Sequence, residues 1–243
     1  MIIDLVKKMF LDYLNNFLTV ERLAEFTYTS ASSIRRDLAK LQNLSLIKRT
    51  HGGASIFNAT NQAVPLNSRM TKNITEKRKI AKKAATLLND GQAVMLDGSS
   101  TAGHLVPYIA KHKDMIVFTN NMFTAINAIN YGIATYCTGG FSVDRSAVLS
   151  GMPAYRMVAE INPDIFFFSS KSLSTNGMIS DPISEENYIR TLMLQNAKMS
   201  VFLCDSEKFA TESLYQLTSI DKIEICVFDK PFPELKTKCK III

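Results

Sequence analysis

Six short apolar runs alternate with helical stretches through the last two thirds of the chain, and this alternation constrains the fold more than any other feature. The runs are AVML from Ala93, MIVF from Met115, IATYC from Ile133, IFFF from Ile165, SVFLC from Ser200 and EICVF from Glu224. Short strands separated by helix-length segments predict a largely parallel α/β sheet. Several strands run straight into polar or glycine-bearing loops: Asp97-Gly98-Ser99-Ser100-Thr101, Thr119-Asn120-Asn121, Thr138-Gly139-Gly140 and Asp205-Ser206-Glu207-Lys208. In an open α/β sheet the ligand crevice lies beyond the carboxyl ends of the strands, so these loops form the candidate binding surface.

The first third follows a helical period instead. Ile3, Val6, Phe10, Leu14 and Phe17 fall on one stripe. Val20, Leu23 and Ala24 form a second, opened by Thr19 as N-cap, and Ile34, Leu38 and Leu41 form a third that Ser30 is placed to cap. Only a few residues separate the second and third, which is helix-turn-helix spacing. In KRTHGGASIF, Gly52-Gly53 lies between β-compatible runs and predicts a tight hairpin, the wing. The polar stretch around Pro65 reads as a linker, and a helical pattern resumes from Glu76 to Asn89, stopped by Asp90-Gly91. The expected organisation is a winged helix-turn-helix over residues 1–58, a linker over 59–74 and an α/β domain over 75–243.

Charge is distributed along the same division. Residues 1–58 carry 8 basic and 5 acidic groups, residues 59–83 carry 7 and 1, and residues 84–243 carry 13 and 16. A basic head on a mildly acidic body suits a polyanionic partner for the head, because lysines and arginines that neutralise phosphates release condensed counterions. A solvated basic face is the plainer alternative.

At 100° per residue around the third helix, Ser32, Arg36, Ala39 and Asn43 point away from Ile34, flanked by Arg35 and Lys40. Such a face combines small, hydrogen-bonding and basic residues, and fits a major groove. Arg36 and Ser32 are the expected base readers. Thr29, Ser30, Ser33, Arg35, Lys40, Lys48, Arg49 and His51 are the expected backbone contacts, while Asp37 is expected to be an ion-pair or capping partner.

On the body, Gly98, Ser99, Ser100 and Thr101 lie between a strand and a helix. Their backbone N–H groups and hydroxyls suit an anion, although a Ser/Thr cluster before a helix is also an ordinary cap. Lys208 is a candidate phosphate or hydroxyl contact, with Asp97 and Asp205 as acceptors for sugar hydroxyls or as structural groups. Thr119, Asn120, Asn121, Gly139 and Gly140 line neighbouring strand ends, and Arg145 in the following loop is a further possible phosphate ligand. A lone His104 is read as structural, and no paired acid and base or activated nucleophile stands out.

The segment SASSIRRDLAKLQNLSLIKRTHGGA, Ser30 to Ala54, resembles the helix-turn-helix and wing of the DeoR family. The resemblance continues through Glu76-Lys77, Ile80-Ala81, LDGSSTA at 96–102, TNN at 119–121, TGG at 138–140, Gly151 and DSEKF at 205–209. The chain departs from the family pattern at Ser33, where threonine is usual, and at the opening of helix one, where arginine is usual. The resemblance implies a repressor of sugar uptake and catabolism genes whose C-terminal domain has a ribose-5-phosphate isomerase-like fold and binds phosphorylated sugars. By the same resemblance Lys171 and Glu185 border the pocket.

Two functions therefore remain: a ligand-controlled transcription regulator, and a sugar-phosphate isomerase with an accessory DNA-binding domain. A head that contacts only a half-site leads us to expect a homodimer or higher homo-oligomer on a double-stranded operator. The sequence implies no metal and no cofactor. It contains no apolar run of membrane-spanning length. Cys137, Cys204, Cys226 and Cys239 show no metal or redox spacing, which suits four structural thiols in a reducing cytoplasm.

Overall fold

A computed structural model of the chain describes residues 17–43, 47–50, 52–56, 72–143 and 146–243, and the chain divides into two compact units, Met1–Thr71 and Lys72–Ile243. In the first, β1 (Phe17–Thr19) leads into α1 (Val20–Thr27), a short turn, α2 (Ala31–Asn43) and a hairpin of β2 (Ile47–Thr50) and β3 (Gly53–Ile56). The Thr19 hydroxyl accepts from the Arg22 N–H at 3.2 Å, and the Ser30 hydroxyl from the Ser33 N–H at 3.2 Å. Each satisfies one N–H that a helix start leaves without a partner, worth about 1 kcal/mol. Tyr28 ends α1 in the left-handed region, at φ 51°. Val20 and Leu23 pack against Ile34, Leu38 and Leu41, with Leu18 and Ala54 closing the small core.

The wing forms where the glycines predict it. Thr50 stands opposite Gly53, and Gly52 in the intervening loop has φ 86°, the positive value a tight hairpin needs. One expectation is corrected: Phe17 lies in β1, opposite Ser55 of β3, and not on a helical stripe. Pairing to the wing overrides the local period there. Ile3, Val6, Phe10 and Leu14, and the linker up to Thr71, lie outside the described residues.

The second unit opens with α3 (Ile74–Ala84), continued by a 3-10 turn at Ala85–Leu87. Then come β4 (Ala93–Leu96), α4 (Ser100–Gly103), α5 (Val106–Ile109), β5 (Ile116–Thr119), α6 (Met122–Asn130) and β6 (Ala134–Cys137). A small hairpin, β7 (Phe141–Ser142) and β8 (Leu149–Ser150), precedes α7 (Met152–Ala159) and β9 (Ile165–Phe168). After β10 (Ser172–Leu173) and β11 (Met178–Asp181) come α8 (Ser184–Asn196), β12 (Ser200–Cys204), β13 (Tyr215–Ser219), β14 (Ile225–Phe228) and β15 (Lys240–Ile242).

All six expected strands join one parallel sheet of order β15-β14-β12-β9-β4-β5-β6. Helices cover both faces, which is why its central strands read as unbroken apolar runs. Along β9, Phe167 faces the cluster built on α3, α4 and α5, while Phe166 and Phe168 face the cluster built on α7 and α8. The seventh strand, β15, and a separate antiparallel sheet of β10, β11 and β13 carry no strong sequence signal. Cys226 and Cys239, distant in sequence, are brought together as free thiols with sulfurs 2.9 Å apart.

The chain runs from β4 outward through β5 to β6, then returns to place β9 on the other side of β4 and continues outward to β15. The direction therefore reverses between β4 and β9. Beyond the carboxyl ends of these two strands the connections diverge and leave a crevice.

Candidate functional site

Asp97, the residue after β4, forms the floor of that crevice and is fully buried. Its carboxylate accepts from the Ser99 N–H at 3.1 Å, the Ser169 N–H beyond β9 at 3.4 Å and Arg190 Nε at 2.8 Å. Arg190, on α8, also reaches Asp181 through Nη1 at 3.1 Å and Glu186 through Nη2 at 2.6 Å. Burial works against the guanidinium charge, but the carboxylates of Asp181, Glu186 and Asp97 outweigh it and hold the group protonated well above its ordinary range. One buried cation thus ties together the ends of β4, β11 and α8. These donors hold the Asp97 carboxylate in place at the floor of the crevice.

Around this floor stand lysines and hydroxyls. Lys77 of α3 is buried, and its Nζ donates to Ser100 Oγ at 3.1 Å. Lys208 donates to Ser169 Oγ at 2.7 Å and pairs with Asp205 at 3.1 Å. Asn73 Nδ2 donates to the other Asp205 oxygen at 3.2 Å. Burial alone pushes the Asp205 carboxyl up, yet the Lys208 charge and the hydrogen bonds from Lys208 and Asn73 prevail and hold it below the usual carboxylate range. Lys171 is exposed on its loop, but nearby protein atoms desolvate its ammonium and Lys72 and Lys208 repel it, so its pKa falls below that of a free lysine. Lys72 and Lys208 thus bring like charge to Lys171, and such a gathering of positive charge favours an anion.

The phosphate-type loop is built largely of caps. Ser99 Oγ accepts from the Ala102 N–H at 3.1 Å, and Thr101 is buried behind it. Gly98 lies against Val148, whose methyl carbon stands 2.6 Å from where a Cβ would be, so only glycine fits. Asn121 caps α6, accepting from Phe123 and Thr124 N–H groups, and donates to the Gly98 carbonyl at 3.0 Å. Thr119 Oγ1 accepts from the Asn121 N–H. Asn120 donates to the Leu149 carbonyl at 2.9 Å, while its buried Oδ1 has no hydrogen-bond partner among the described residues. Gly139 and Gly140, both at positive φ, are exposed after β6. Glu185 is exposed and accepts from the Ser184 hydroxyl, whereas its neighbour Glu186 turns inward to Arg190. Arg145 lies outside the described residues.

In the first unit, Ser32, Arg35, Arg36 and Lys40 are exposed on α2, and Ser33 is half-buried. Ser30 Oγ also contacts the hydroxyls of Ser32 and Ser33, and Arg36 Nη2 reaches Ser33 Oγ at 3.5 Å. Thr29, in the turn, contacts Thr27 Oγ1 at 2.7 Å. Arg35 approaches Glu21 at 4.0 Å and Lys40 approaches Asp37 at 3.9 Å, so Asp37 is an ion-pair partner. Lys48 and Arg49 lie on β2, opposite Ser55 and Ala54 of β3. His51 lies outside the described residues.

Sequence reasoning missed Arg190, Asp181, Glu186 and Ser169 as members of the crevice, and left Lys77 without a role. A signal was present: Glu186, Ile189, Arg190 and Met193 share one helical stripe, as do Lys77, Ile80, Ala81 and Ala84, and a charged residue on an apolar stripe is buried with a partner.

Among the described residues, no group of three or more His, Cys, Asp or Glu side chains is placed to hold a metal, and no helix is long and apolar enough to cross a membrane.

The family model "DeoR-like helix-turn-helix domain" matches residues 7–60, and "DeoR C terminal sensor domain" matches residues 72–230. The chain is 32% identical over 216 residues to the HTH-type transcriptional regulator GolR of Listeria innocua, covering 88% of this chain and 85% of that one. It is 31% identical to the HTH-type transcriptional repressor GlcR of Bacillus subtilis, covering 90% and 86%, and 31% identical to the L-fucose operon activator of Haemophilus influenzae, covering 89% and 87%. Among solved structures, eIF2B delta of Chaetomium thermophilum aligns over 84% of this chain and 65% of that one, at 13% identity and a TM-score of 0.51. Ribose 5-phosphate isomerase A of Methanocaldococcus jannaschii aligns over 57% and 55%, at 19% identity and a TM-score of 0.43. With both family domains matched in order, and with relatives above 30% identity across most of their length, the chain belongs to the DeoR family of helix-turn-helix transcriptional regulators.

Proposed function

We propose that this regulator is a cytoplasmic repressor of sugar uptake or catabolism genes, whose head, residues 1–58, binds a double-stranded operator. Residues 75–243 sense a phosphorylated sugar, and residues 59–74 connect the two. Arg36 and Ser32 read base edges, while Thr29, Ser30, Ser33, Arg35, Lys40, Lys48, Arg49 and His51 hold the DNA backbone. The regulator works as a homodimer or higher homo-oligomer, so that two heads meet two half-sites.

The observation that carries the sensing half is the placement of Lys77 and Lys208 on the hydroxyls of Ser100 and Ser169, on opposite sides of the crevice where the sheet order reverses. Two ammonium groups, a third close by at Lys171 and the Gly98–Thr101 loop suit a phosphate, and Asp97, Asp205 and the Thr119–Asn121 loop supply acceptors for hydroxyls. Lys171, Glu185, Gly139 and Gly140 belong to the rim, and Arg145 is a further phosphate ligand. The names of the relatives support the sugar reading, since one is named for an L-fucose operon and another for the aga operon.

A ligand that binds only the folded state raises the unfolding temperature with its occupancy. A thermal-shift screen of the full chain against sugar phosphates and their unphosphorylated parents is expected to give a hit only with the phosphate present, and the same compound is expected to change operator affinity. Stabilisation by unphosphorylated sugars alone, or by no compound that alters DNA binding, refutes the reading.

A further inference from the structure

Helix α6 is apolar on both sides. Ala125 and Ala128 are buried against the sheet, while Met122, Phe123, Ile126 and Ile129 are 40 to 60% exposed on the outer face. A helix that carries large apolar side chains on its outer face as well as its inner one lacks part of its cover, and the polar Asn127 and Asn130 do not supply it. Beside it, β6 is the terminal strand of the sheet, with one side free of strand partners among the described residues. Tyr131 follows α6 and Tyr136, stacked on Phe118 at 5.0 Å, sits on β6; both are about half exposed.

The two edges of the sheet are protected differently. At the far edge, β15 begins with Lys240, preceded by Lys236 and Lys238, the kind of charge that keeps an open strand from pairing with another chain. From Met115 to Val143, which covers β5, α6, β6 and the start of the following hairpin, the sequence contains no Asp, Glu, Lys, Arg or His. This edge is both apolar and unguarded.

From these observations we infer that the α6 and β6 edge of the sensor unit is where a second copy of this chain binds. The inference rests on the oligomer reading above and gives it a surface. The absence of charge favours a copy of the same chain over a charged partner. In a two-fold contact any charge near the axis meets its own duplicate, and a self-complementary patch avoids that by having none. The size is adequate: six large side chains, each roughly half exposed, present on the order of 100 Å² apiece, or about 600 Å² of the ~800 Å² per partner that a standard interface buries. Cys137, at the end of β6, is the exposed member of the four cysteines and reports on the same edge.

The test uses the full chain, with Ile129→Lys, at the C-terminal turn of α6 where a cation suits the helix dipole, and Ile126→Glu as a second variant. Mass is measured by light scattering and sedimentation at tens of micromolar, and Cys137 alkylation is timed by mass spectrometry. The expected result is an oligomeric wild type, variants with native helical content whose mass is halved or less, and Cys137 alkylation at least tenfold faster in the variants. Variants that keep the wild-type mass and Cys137 rate overturn this surface and leave the oligomer reading standing. A monomeric wild type overturns the oligomer reading itself, and this surface with it.

Discussion

Arg190 and Asp97 are 93 residues apart in sequence, yet Arg190 Nε donates to Asp97 Oδ2 at 2.8 Å, with both side chains almost wholly buried. The guanidinium also holds Asp181 and Glu186, so one positive charge faces three carboxylates. Removing the cation leaves those carboxylates buried without the guanidinium charge that balances them. Arg190→Met is therefore expected to destabilise the sensor unit by about 3–5 kcal/mol. Asp97→Asn, which leaves Arg190 the two carboxylates of Asp181 and Glu186, is expected to cost about 1–3 kcal/mol. Urea denaturation followed by circular dichroism measures both; an Arg190→Met variant as stable as the wild type contradicts this account.

This network also shows what the sequence could and could not reveal. The six parallel strands were legible because a strand covered on both faces must be apolar throughout, as IFFF at Ile165 is. The wing was legible because Gly52 supplies a positive φ that few other residues tolerate. Strand-end loops such as Gly98–Thr101 were legible through topology. Arg190 was not, because its partners come from β4, β11 and its own helix, and only the folded sheet brings them together. Phe17 was misread for a related reason: its strand exists through pairing with Ser55, not through a local period.

Lys208 bridges Ser169 and Asp205 at the mouth of the crevice. If it holds the effector's phosphate, Lys208→Met removes a charge-assisted contact worth about 1.5–3 kcal/mol, or roughly 10- to 100-fold in effector affinity. Operator affinity without effector is expected to be unchanged. Calorimetric titration with the sugar phosphate found by the thermal screen decides the matter, and undiminished binding removes Lys208 from the site.

Gly139 and Gly140 share a left-handed backbone but not the same surroundings. A Cβ on Gly140, at φ 107°, would lie 2.2 Å from the Ser150 carbonyl oxygen, whereas one on Gly139, at φ 71°, would meet nothing within 4 Å. Gly139→Ala is expected to cost about 1–2 kcal/mol of backbone strain alone. Gly140→Ala must also displace β8, and is expected to lower the unfolding temperature clearly more. Equal shifts from the two substitutions would show that the Ser150 contact yields without penalty.

Asp205 sets the direction of one pH effect. Its carboxyl is held below the ordinary range because the Lys208 charge and the bonds from Lys208 and Asn73 outweigh its burial. A depressed folded-state pKa contributes stability above the unfolded value of about 4, and that contribution is lost as pH falls through the folded value. Stability of the sensor unit is thus expected to decline below pH 4, and Asp205→Asn is expected to be less stable at pH 7 but to decline less steeply in acid. Parallel stability curves for variant and wild type between pH 5 and pH 2 would remove Asp205 from the account.

On α2, Arg36 and Lys40 separate two kinds of DNA contact. Both are exposed, but Arg36 lies opposite the buried Ile34–Leu38 stripe and leans toward Ser33 at 3.5 Å, whereas Lys40 lies on the flank, within 3.9 Å of Asp37. A guanidinium pointing into the groove can bond two acceptors on one guanine edge, an arrangement worth about 1–3 kcal/mol of discrimination. A flanking ammonium meets phosphate, which is the same for every sequence. Arg36→Ala is therefore expected to bring operator affinity toward the affinity for random DNA. Lys40→Ala is expected to weaken both alike and to reduce the slope of log affinity against log salt by about 1. Fluorescence anisotropy with operator and scrambled duplexes at several salt concentrations separates these outcomes, and equal losses on both duplexes from both variants would mean that α2 does not read bases through Arg36.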